Sequence, residues 1–283
     1  MTQWLDQRVI AFAHQGGSFE GPSSTLYAIE QALGAGATAV ELDVHATSDR
    51  RLVVCHDDTV DRTSDGHGSI AEMSLAQLQA LDNAYWFVPG ETASPGRGAE
   101  EYPWRGRAPS DRRFAIATLE EVVATFPGVL LNLDIKRTAP DIEPYESLLA
   151  EELRRLEATS RVIVASFIDE AIAAFRLAAP DVATSAATRE TAAFYYTRLE
   201  TRPTLPPAVA LQVPATYGDV RVIDEPFVEA AHRWGIAVHA WTINEQSEME
   251  RLLDLGVDGL VSDVPSVLAS TLMRRGLTWR ANL

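Results

Sequence analysis

One cysteine, Cys55, occurs in the 283 residues, so no disulfide can form within the chain and a reducing compartment suits it. No run of about 18 apolar residues is present, the length that a membrane-crossing helix needs. Residues Met1–Arg8 lack the basic start and apolar centre of an export leader. A cytoplasmic location without stable membrane insertion is therefore expected. Positive charge is scarce: 24 Lys and Arg face 40 Asp and Glu, for a formal net charge of −16. Such a balance disfavours nucleic acid and anionic membrane surfaces as partners. A small phosphate-bearing substrate would need positive charge supplied locally. There is no internal repeat and no low-complexity tract.

What is present is a series of short apolar runs that carry titratable residues near their C-terminal ends. Ile10–His14 leads into the turn residues Gln15, Gly16 and Gly17. Ala39–Val44 contains Glu41 and Asp43, two apart and so on one face of a strand. A third run, Leu52–Cys55, is followed by His56 and Asp57. The run Val129–Lys136 places Asp134 and Lys136 on one face. An unpaired carboxylate inside a strand is costly to desolvate. Three such carboxylates, Glu41, Asp43 and Asp134, suit an oxygen-ligated divalent cation, Mg²⁺ or Ca²⁺. Lys136 either meets a phosphate oxygen or pairs with Asp134 at the strand end.

Between these runs lie helical patterns. Ser24 or Thr25 can cap a helix bearing Leu26, Ile29 and Leu33, which Gly34 and Gly36 end. Thr118 and Glu121 form a capping-box pair for residues Thr118–Phe126. Helices are also expected at Pro144–Glu157, Asp169–Ala179, Pro226–Trp234 and Gln246–Leu255. Strands are expected at Val162–Ser166, Val182–Ala186, Ala208–Val213, Ala237–Thr242 and Gly259–Ser262. Alternation of this kind predicts a parallel sheet clothed in helices. With 46% hydrophobic residues and this length, the expectation is one (β/α)₈ TIM barrel. It would span residues 9–270, with 271–283 as a C-terminal tail.

Val44 and Leu52 stand too close in sequence for a helical crossover between parallel strands. A hairpin through Ser48-Asp49-Arg50 would make Leu52–His56 an extra antiparallel strand and set Glu41 roughly opposite His56. Residues 57–117 form an insertion at the catalytic face, long enough to act as a small cap. Its Trp86, Phe87, Tyr102 and Trp104 either contact substrate or anchor the segment. Cys55 alternates away from the face of His56, which favours a structural thiol. His45 shares the face of Glu41 and Asp43. His67 is expected in solvent, His232 on a helix, and His239 deeper in the barrel than Trp241.

The ordered set of these segments resembles the glycerophosphodiester phosphodiesterase family. The residues that carry the resemblance are His14-Gln15-Gly16, Glu41-Leu42-Asp43, His56-Asp57 with Thr59 to Thr63, and Asp134-Ile135-Lys136. Later come Trp241-Thr242-Ile243-Asn244 and Gly256 to Asp263. The resemblance implies a metal-dependent hydrolysis of glycerophosphodiesters to sn-glycerol 3-phosphate and an alcohol. His14 and His56 would act as general acid and base, Glu41, Asp43 and Asp134 as metal ligands, and Gln15, Lys136 and Trp241 as substrate contacts. Two positions depart from the family. Its Arg after the first His is Gln15 here, and its Pro-Glu-Asn-Thr reads Pro22-Ser23-Ser24-Thr25. The losses of one positive and one negative group partly cancel, as a paired adjustment would. Lysophospholipids hydrolysed in lysophospholipase D fashion, or phosphodiester binding with weak turnover, are the alternatives.

Overall fold

A computed structural model describes Trp4, residues 9–136 and residues 145–277 of the chain. Pro144, the rest of the first eight residues and 278–283 of the expected tail lie outside the described residues. In chain order the strands and helices begin β1 (Ile10–His14), α1 (Leu26–Ala35), β2 (Ala39–Ala46), β3 (Leu52–Val54), α2 (Leu75–Gln79), α3 (Leu119–Thr125) and β4 (Leu130–Ile135). They continue with α4 (Tyr145–Arg155), β5 (Val162–Ala165), α5 (Asp169–Ala178), β6 (Ala183–Thr184), α6 (Thr188–Thr197) and β7 (Ala210–Pro214). The chain then forms the small hairpin β8 (Thr216–Tyr217) and β9 (Val220–Arg221). It closes with α7 (Glu225–Arg233), β10 (Ala237–Trp241), α8 (Gln246–Asp254), β11 (Gly259–Ser262) and α9 (Pro265–Arg274).

Eight parallel strands run in the order β6-β5-β4-β2-β1-β11-β10-β7. The ring is completed where β6 meets β7 through one parallel bridge, Ser185 to Ala210. That seam is thin because β6 has only two residues. The expected (β/α)₈ barrel is thus present. β3 pairs antiparallel with β2 outside the ring, with Val44 opposite Val54 and Ala46 opposite Leu52. The Cys55 backbone N–H then donates to the Asp43 carbonyl at 3.0 Å. Continued one step, that register puts Asp43 opposite Cys55 and Leu42 opposite His56, one residue from the expected Glu41.

Alternation along the strands builds two layers. Outward-facing Val40, Leu42, Val44, Leu131, Leu133 and Ile135 join a helix-covered core with Leu149, Leu153, Ile172 and Phe175. A second such core covers Leu211, Val238 and Leu260 with Phe227, Leu252 and Leu268. Inward-facing Ile10, Phe12, Ala39, Leu130, Ile163, Ala237 and Val261 pack with Trp4 as an apolar floor inside the ring. Gly259 belongs to that floor by necessity. A Cβ there would stand 2.8 Å from both the Phe12 and His239 rings. One step up each strand from this floor come His14, Glu41, Asp43, Asn132 and Asp134, at the C-terminal rim where barrel enzymes hold their chemistry.

Helix ends follow local chemistry. Thr25 caps α1 by accepting from Ala28 N–H, and Gly36 at φ 111° ends it, while Gly34 stays inside the helix. The Thr118–Glu121 capping box opens α3. Neither α6 nor α9 had a counterpart among the expected helices, and α9 runs four residues past position 270 to Arg274. The insertion packs against the β1–α1 loop, and none of its residues lines the cleft at the barrel mouth. Asn83 Nδ2 donates to the Ser23 carbonyl at 3.1 Å, and Gly90 N–H donates to the Phe19 carbonyl at 2.8 Å. Its aromatic residues anchor it: Trp86 contacts Tyr85 and Tyr102, the Arg105 guanidinium lies over all three rings, and Trp104 stacks on Phe114. Cys55 is buried with Val53, Val60 and Ile70, and burial pushes its thiol up to about 12. Among the described residues no helix is long and apolar enough to cross a membrane.

Candidate active site

β1 ends at His14 because the next three residues all take positive φ, Gln15 at 51°, Gly16 at 81° and Gly17 at 93°. Such a turn swings the chain off the sheet and leaves the imidazole at the mouth of the barrel. His14 Nδ1 lies 2.6 Å from Asp263 Oδ1, directly after β11. Asp263 is fixed in turn by Ser18 Oγ, which donates at 2.5 Å, and by Asn244 Nδ2, which donates at 2.8 Å. His56 has an independent brace. Its Nδ1 is 2.6 Å from Asp57 Oδ1, while Arg62 Nε and Nη2 hold Asp57 at 2.6 and 3.0 Å. The two imidazole centroids stand 6.5 Å apart with their planes at 83°. Each ring has a carboxylate on Nδ1; this leaves His56 Nε2 for the cleft, while His14 Nε2 also meets the Gln15 side-chain amide at 3.3 Å.

Beside them is the acidic cluster. Parallel register puts Glu41 next to His14 and Asp43 next to Asp134. Glu41 Oε2 is 3.8 Å from His14 Nε2 and accepts from the Gln15 backbone N–H at 3.2 Å. Lys136, the only lysine in the chain, reaches Asp43 Oδ1 at 2.9 Å and Asp134 Oδ2 at 2.8 Å. A compact ammonium fits between two carboxylates where a planar guanidinium would not. Asp43 Oδ2, Asp134 Oδ1 and Asn132 Oδ1 remain buried with no hydrogen-bond partner. Among the described residues no three His, Cys, Asp or Glu side chains stand at ready-made metal spacing, since Lys136 holds the space between the two aspartates.

The charges have physical consequences. Burial, with repulsion from Asp43 added, raises Glu41 to about 8. Burial likewise raises Asp134 to about 6 against the pull of Lys136. Burial alone would lower His14, but the Asp263 hydrogen bond and the nearby acids outweigh it and lift the imidazole to about 9. Lys136 is desolvated, yet Asp43 and Asp134 hold it above its ordinary range. Asp57 loses hydration, but its bonds to His56 and Arg62 keep it well below the usual carboxylate range.

A cleft of about 670 Å³ opens over this cluster, lined at one end by His14, Glu41, Asp43, His56, Asp134 and Lys136. Trp241 lines it too, edge-to-face with Phe167 at 5.5 Å. Of the eight expected site residues, seven therefore meet in one cleft. Gln15 is the eighth. It is only 4% exposed and sits behind His14, with its Nε2 3.3 Å from His14 Nε2. Ser23 Oγ donates to Gln15 Oε1 at 2.6 Å, so the two positions that depart from the family pattern touch each other. Trp86, Phe87, Tyr102 and Trp104 do not line the cleft. His45 is buried with Nε2 unpartnered and does not line it either. His67 is exposed, His232 pairs with Asp258 at the N-terminal end of the barrel, and His239 is buried beside Phe12.

Asp263, Asn244, Asn132 and Phe167 were not among the expected site residues. An acid directly after a strand, as Asp263 follows β11, is the signal that points to it. Its partner His14 is 249 positions away, and only closure of β11 against β1 joins them.

The contact between positions 15 and 23 has a measurable consequence. Ser23→Glu alone should bury an unpaired carboxylate near Glu41 and destabilise by about 3–5 kcal/mol. Gln15→Arg alone should bury an unpaired cation beside His14. The double exchange should recover most of either loss, and a double-mutant cycle on denaturant midpoints measures the coupling. Additive losses would show that the two sites act independently.

Comparison with known proteins agrees with this geometry. The model of the glycerophosphoryl diester phosphodiesterase family matches residues 14–267. A glycerophosphodiester phosphodiesterase of Caldanaerobacter subterraneus is 29% identical over 274 residues, covering 95% of this chain and 99% of the relative. The glycerophosphoryl diester phosphodiesterase domain of a Mycobacterium tuberculosis protein shares the fold with TM-score 0.77 at 23% identity, covering 95% of this chain and 100% of that one. A phosphodiesterase of Oleispira antarctica, solved with its product sn-glycerol-3-phosphate, superposes with TM-score 0.71 at 24% identity, covering 94% and 97%. The chain belongs to the glycerophosphoryl diester phosphodiesterase family of hydrolases.

Proposed function

We propose that this chain hydrolyses glycerophosphodiesters to sn-glycerol 3-phosphate and an alcohol, with His14 and His56 as the acid–base pair. The observation that carries this reading is the pair of imidazoles 6.5 Å apart, each braced by its own carboxylate, above a carboxylate–lysine cluster. A phosphoryl group between them has one Nε2 on the side of the attacking oxygen and one on the side of the leaving oxygen. One imidazole accepts a proton from the attacking water as the water oxygen bonds to phosphorus. The other returns a proton to the alcohol oxygen as the P–O bond breaks. Lys136 supplies positive charge to a non-bridging oxygen, and Trp241 bounds the space for the alcohol.

Glu41, Asp43 and Asp134 fit a divalent cation. Two of their oxygens, with Asn132 Oδ1, are buried without partners, and burial, with repulsion from Asp43 added, lifts both Glu41 and Asp134. All are oxygen donors, which suits Mg²⁺ or Ca²⁺. When bound, such a cation polarises a phosphoryl oxygen and offsets developing charge. Gln15 orients His14 from behind and is a positioning residue in this reading.

The test is a screen for release of the phosphomonoester (sn-glycerol 3-phosphate or its lyso-lipid counterpart) and the alcohol across glycerophosphodiesters and lysophospholipids, with and without EDTA. Release from glycerophosphodiesters that EDTA abolishes is the expected result. A folded chain that binds these compounds yet releases nothing above buffer background would leave a binding barrel instead.

A further inference from the structure

The insertion lines no part of the cleft, yet it reaches the supports of both imidazoles. Its Asn83 donates through Nδ2 to the Ser23 carbonyl at 3.1 Å. A carbonyl can only accept, and this fixes which end of the amide faces it. Thr63 Oγ1 donates to the other end, Asn83 Oδ1, at 2.6 Å. Ser23 in turn donates through Oγ to Gln15 Oε1 at 2.6 Å, and Gln15 Nε2 meets His14 Nε2 at 3.3 Å. Thr63, Asn83, Ser23 and Gln15 are each at most 8% exposed, so bulk water does not compete for these bonds. The stretch that Asn83 grips is strained. Gln15 and Ser24 hold positive φ, 51° and 58°, without being glycine, and the Ser24 N–H donates to the Gln15 carbonyl at 2.8 Å. Residues keep such a conformation only where their surroundings over-determine it. A second arm starts one residue from Thr63: Arg62 holds Asp57, and Asp57 holds His56. Arg62-Thr63 is thus the common root of two chains of hydrogen bonds, one ending on each imidazole.

We infer that Asn83 is a positioning residue for the reaction: it sets His14 through Ser23 and Gln15, and through Thr63 it keeps that setting in register with His56. The inference rests on the two-imidazole reading of the site. It gives the insertion the work of a brace behind the rim. Val60, Ile70, Leu78 and Ile116 already form an apolar core for the insertion with Val53 and Cys55. The buried amide of Asn83 is directed instead at the neighbouring loop. Its removal would leave the Ser23 carbonyl and the Thr63 hydroxyl without these partners, and the strained turn behind His14 would lose its hold from the insertion side.

The experiment compares Asn83→Ala, Thr63→Val and Thr63→Ser by steady-state kinetics on one glycerophosphodiester and by ¹⁵N NMR of the histidine rings. The His14 signals are assigned by their loss in His14→Ala. Asn83→Ala and Thr63→Val should each lower kcat about 10–10²-fold with KM nearly unchanged, the scale on which misplacement remote from the chemistry is felt. Thr63→Ser keeps the hydroxyl and should regain most of what Thr63→Val loses. On a Gln15→Leu background Asn83→Ala should cost little more, because its effect passes through Gln15. The His14 ring signals should shift or broaden in Asn83→Ala while those of His232 stay in place. Lowered Tm with unchanged kcat and unmoved His14 signals overturns the inference. So does an Asn83→Ala loss that is undiminished on the Gln15→Leu background. Where Asn83→Ala does not fold, Thr63→Val against Thr63→Ser makes the same comparison with the amide left in place. If the parent chain hydrolyses no diester, the phosphodiesterase reading fails separately. The His14 signals then still decide whether Asn83 sets that ring: movement supports it, and an unmoved ring overturns it.

Discussion

His14→Ala and His56→Ala should each lower turnover by about 10²–10⁴-fold, the range for loss of a positioned acid or base. The two substitutions act on one proton-transfer cycle, so the double variant should lose little more than the worse single one. Asp263→Asn gives a finer readout. Asp263 does not line the cleft and acts by orienting His14, so it is a positioning residue. Its hydrogen bond and charge are among the groups that raise His14. Replacing it should move the alkaline limb of the kcat/KM profile to lower pH as well as reduce the rate. A merely structural role would lower stability without moving that limb. His232→Ala is the control, because His232 pairs with Asp258 at the far end of the barrel. Near-normal turnover by a folded His14→Ala chain would end the two-imidazole mechanism.

Most strands and helices that bury one face were legible, α9 (Pro265–Arg274) being an exception. The inward acids of β2 and β4 stand out because their outward neighbours, Val40 to Val44 and Leu131 to Ile135, are uniformly apolar. The capping signals at Thr25 and Thr118 are local and carry their own geometry. α6 was not legible for the opposite reason: its stripe of Thr191, Ala192 and Tyr196 faces a cleft, so it lacks the apolar periodicity of a core helix. Hairpin register came within one residue of the expectation; turn length alone does not fix pairing more closely, and β2 is equally apolar along its outer face.

Site chemistry divides in the same way. The acids and imidazoles could be named from residue type and position on their strands. Their braces could not, except for Asp57, which adjoins His56. Asp263 reaches His14 through ring closure, and Arg62 reaches Asp57 through a loop turn; neither distance is written in a local pattern. Lys136 was legible as a strand-end cation. That it lies between two acids, rather than against only Asp134, depends on the Asp43–Asp134 register. Position 15 shows what a family pattern leaves out. The exchange of a charged residue for Gln15 is matched by charge at Ser23 in the sequence, and the hydrogen bond shows that the two side chains touch.

Asp43→Asn should abolish cation-dependent hydrolysis while leaving the barrel folded, because Asp43 contributes both a free buried oxygen and a bond to Lys136. The cluster's cost to the fold gives an independent measurement. Glu41 is lifted from 4.5 to about 8, so between those values the native state holds more protons than the unfolded one, and stability falls as pH rises. His14 acts in the same direction between about 6.5 and 9. Stabilisation of its protonated form is complete below the lower value and is lost as pH passes the higher one. The cation-free chain should therefore lose Tm steadily from about pH 5 to 9, and Glu41→Gln should flatten the lower part of that slope. Mg²⁺ or Ca²⁺ should oppose the loss, since a cation competes with the same protons and binds better as pH rises. At 100 times its Kd the gain is about 2.7 kcal/mol, or roughly 4–5 °C for a chain of this size. The gain should shrink at pH 5 and vanish in Asp43→Asn. Identical melting curves with and without the cations at pH 8, together with full turnover in excess EDTA, would remove the metal from this site and leave Lys136 as its only cation.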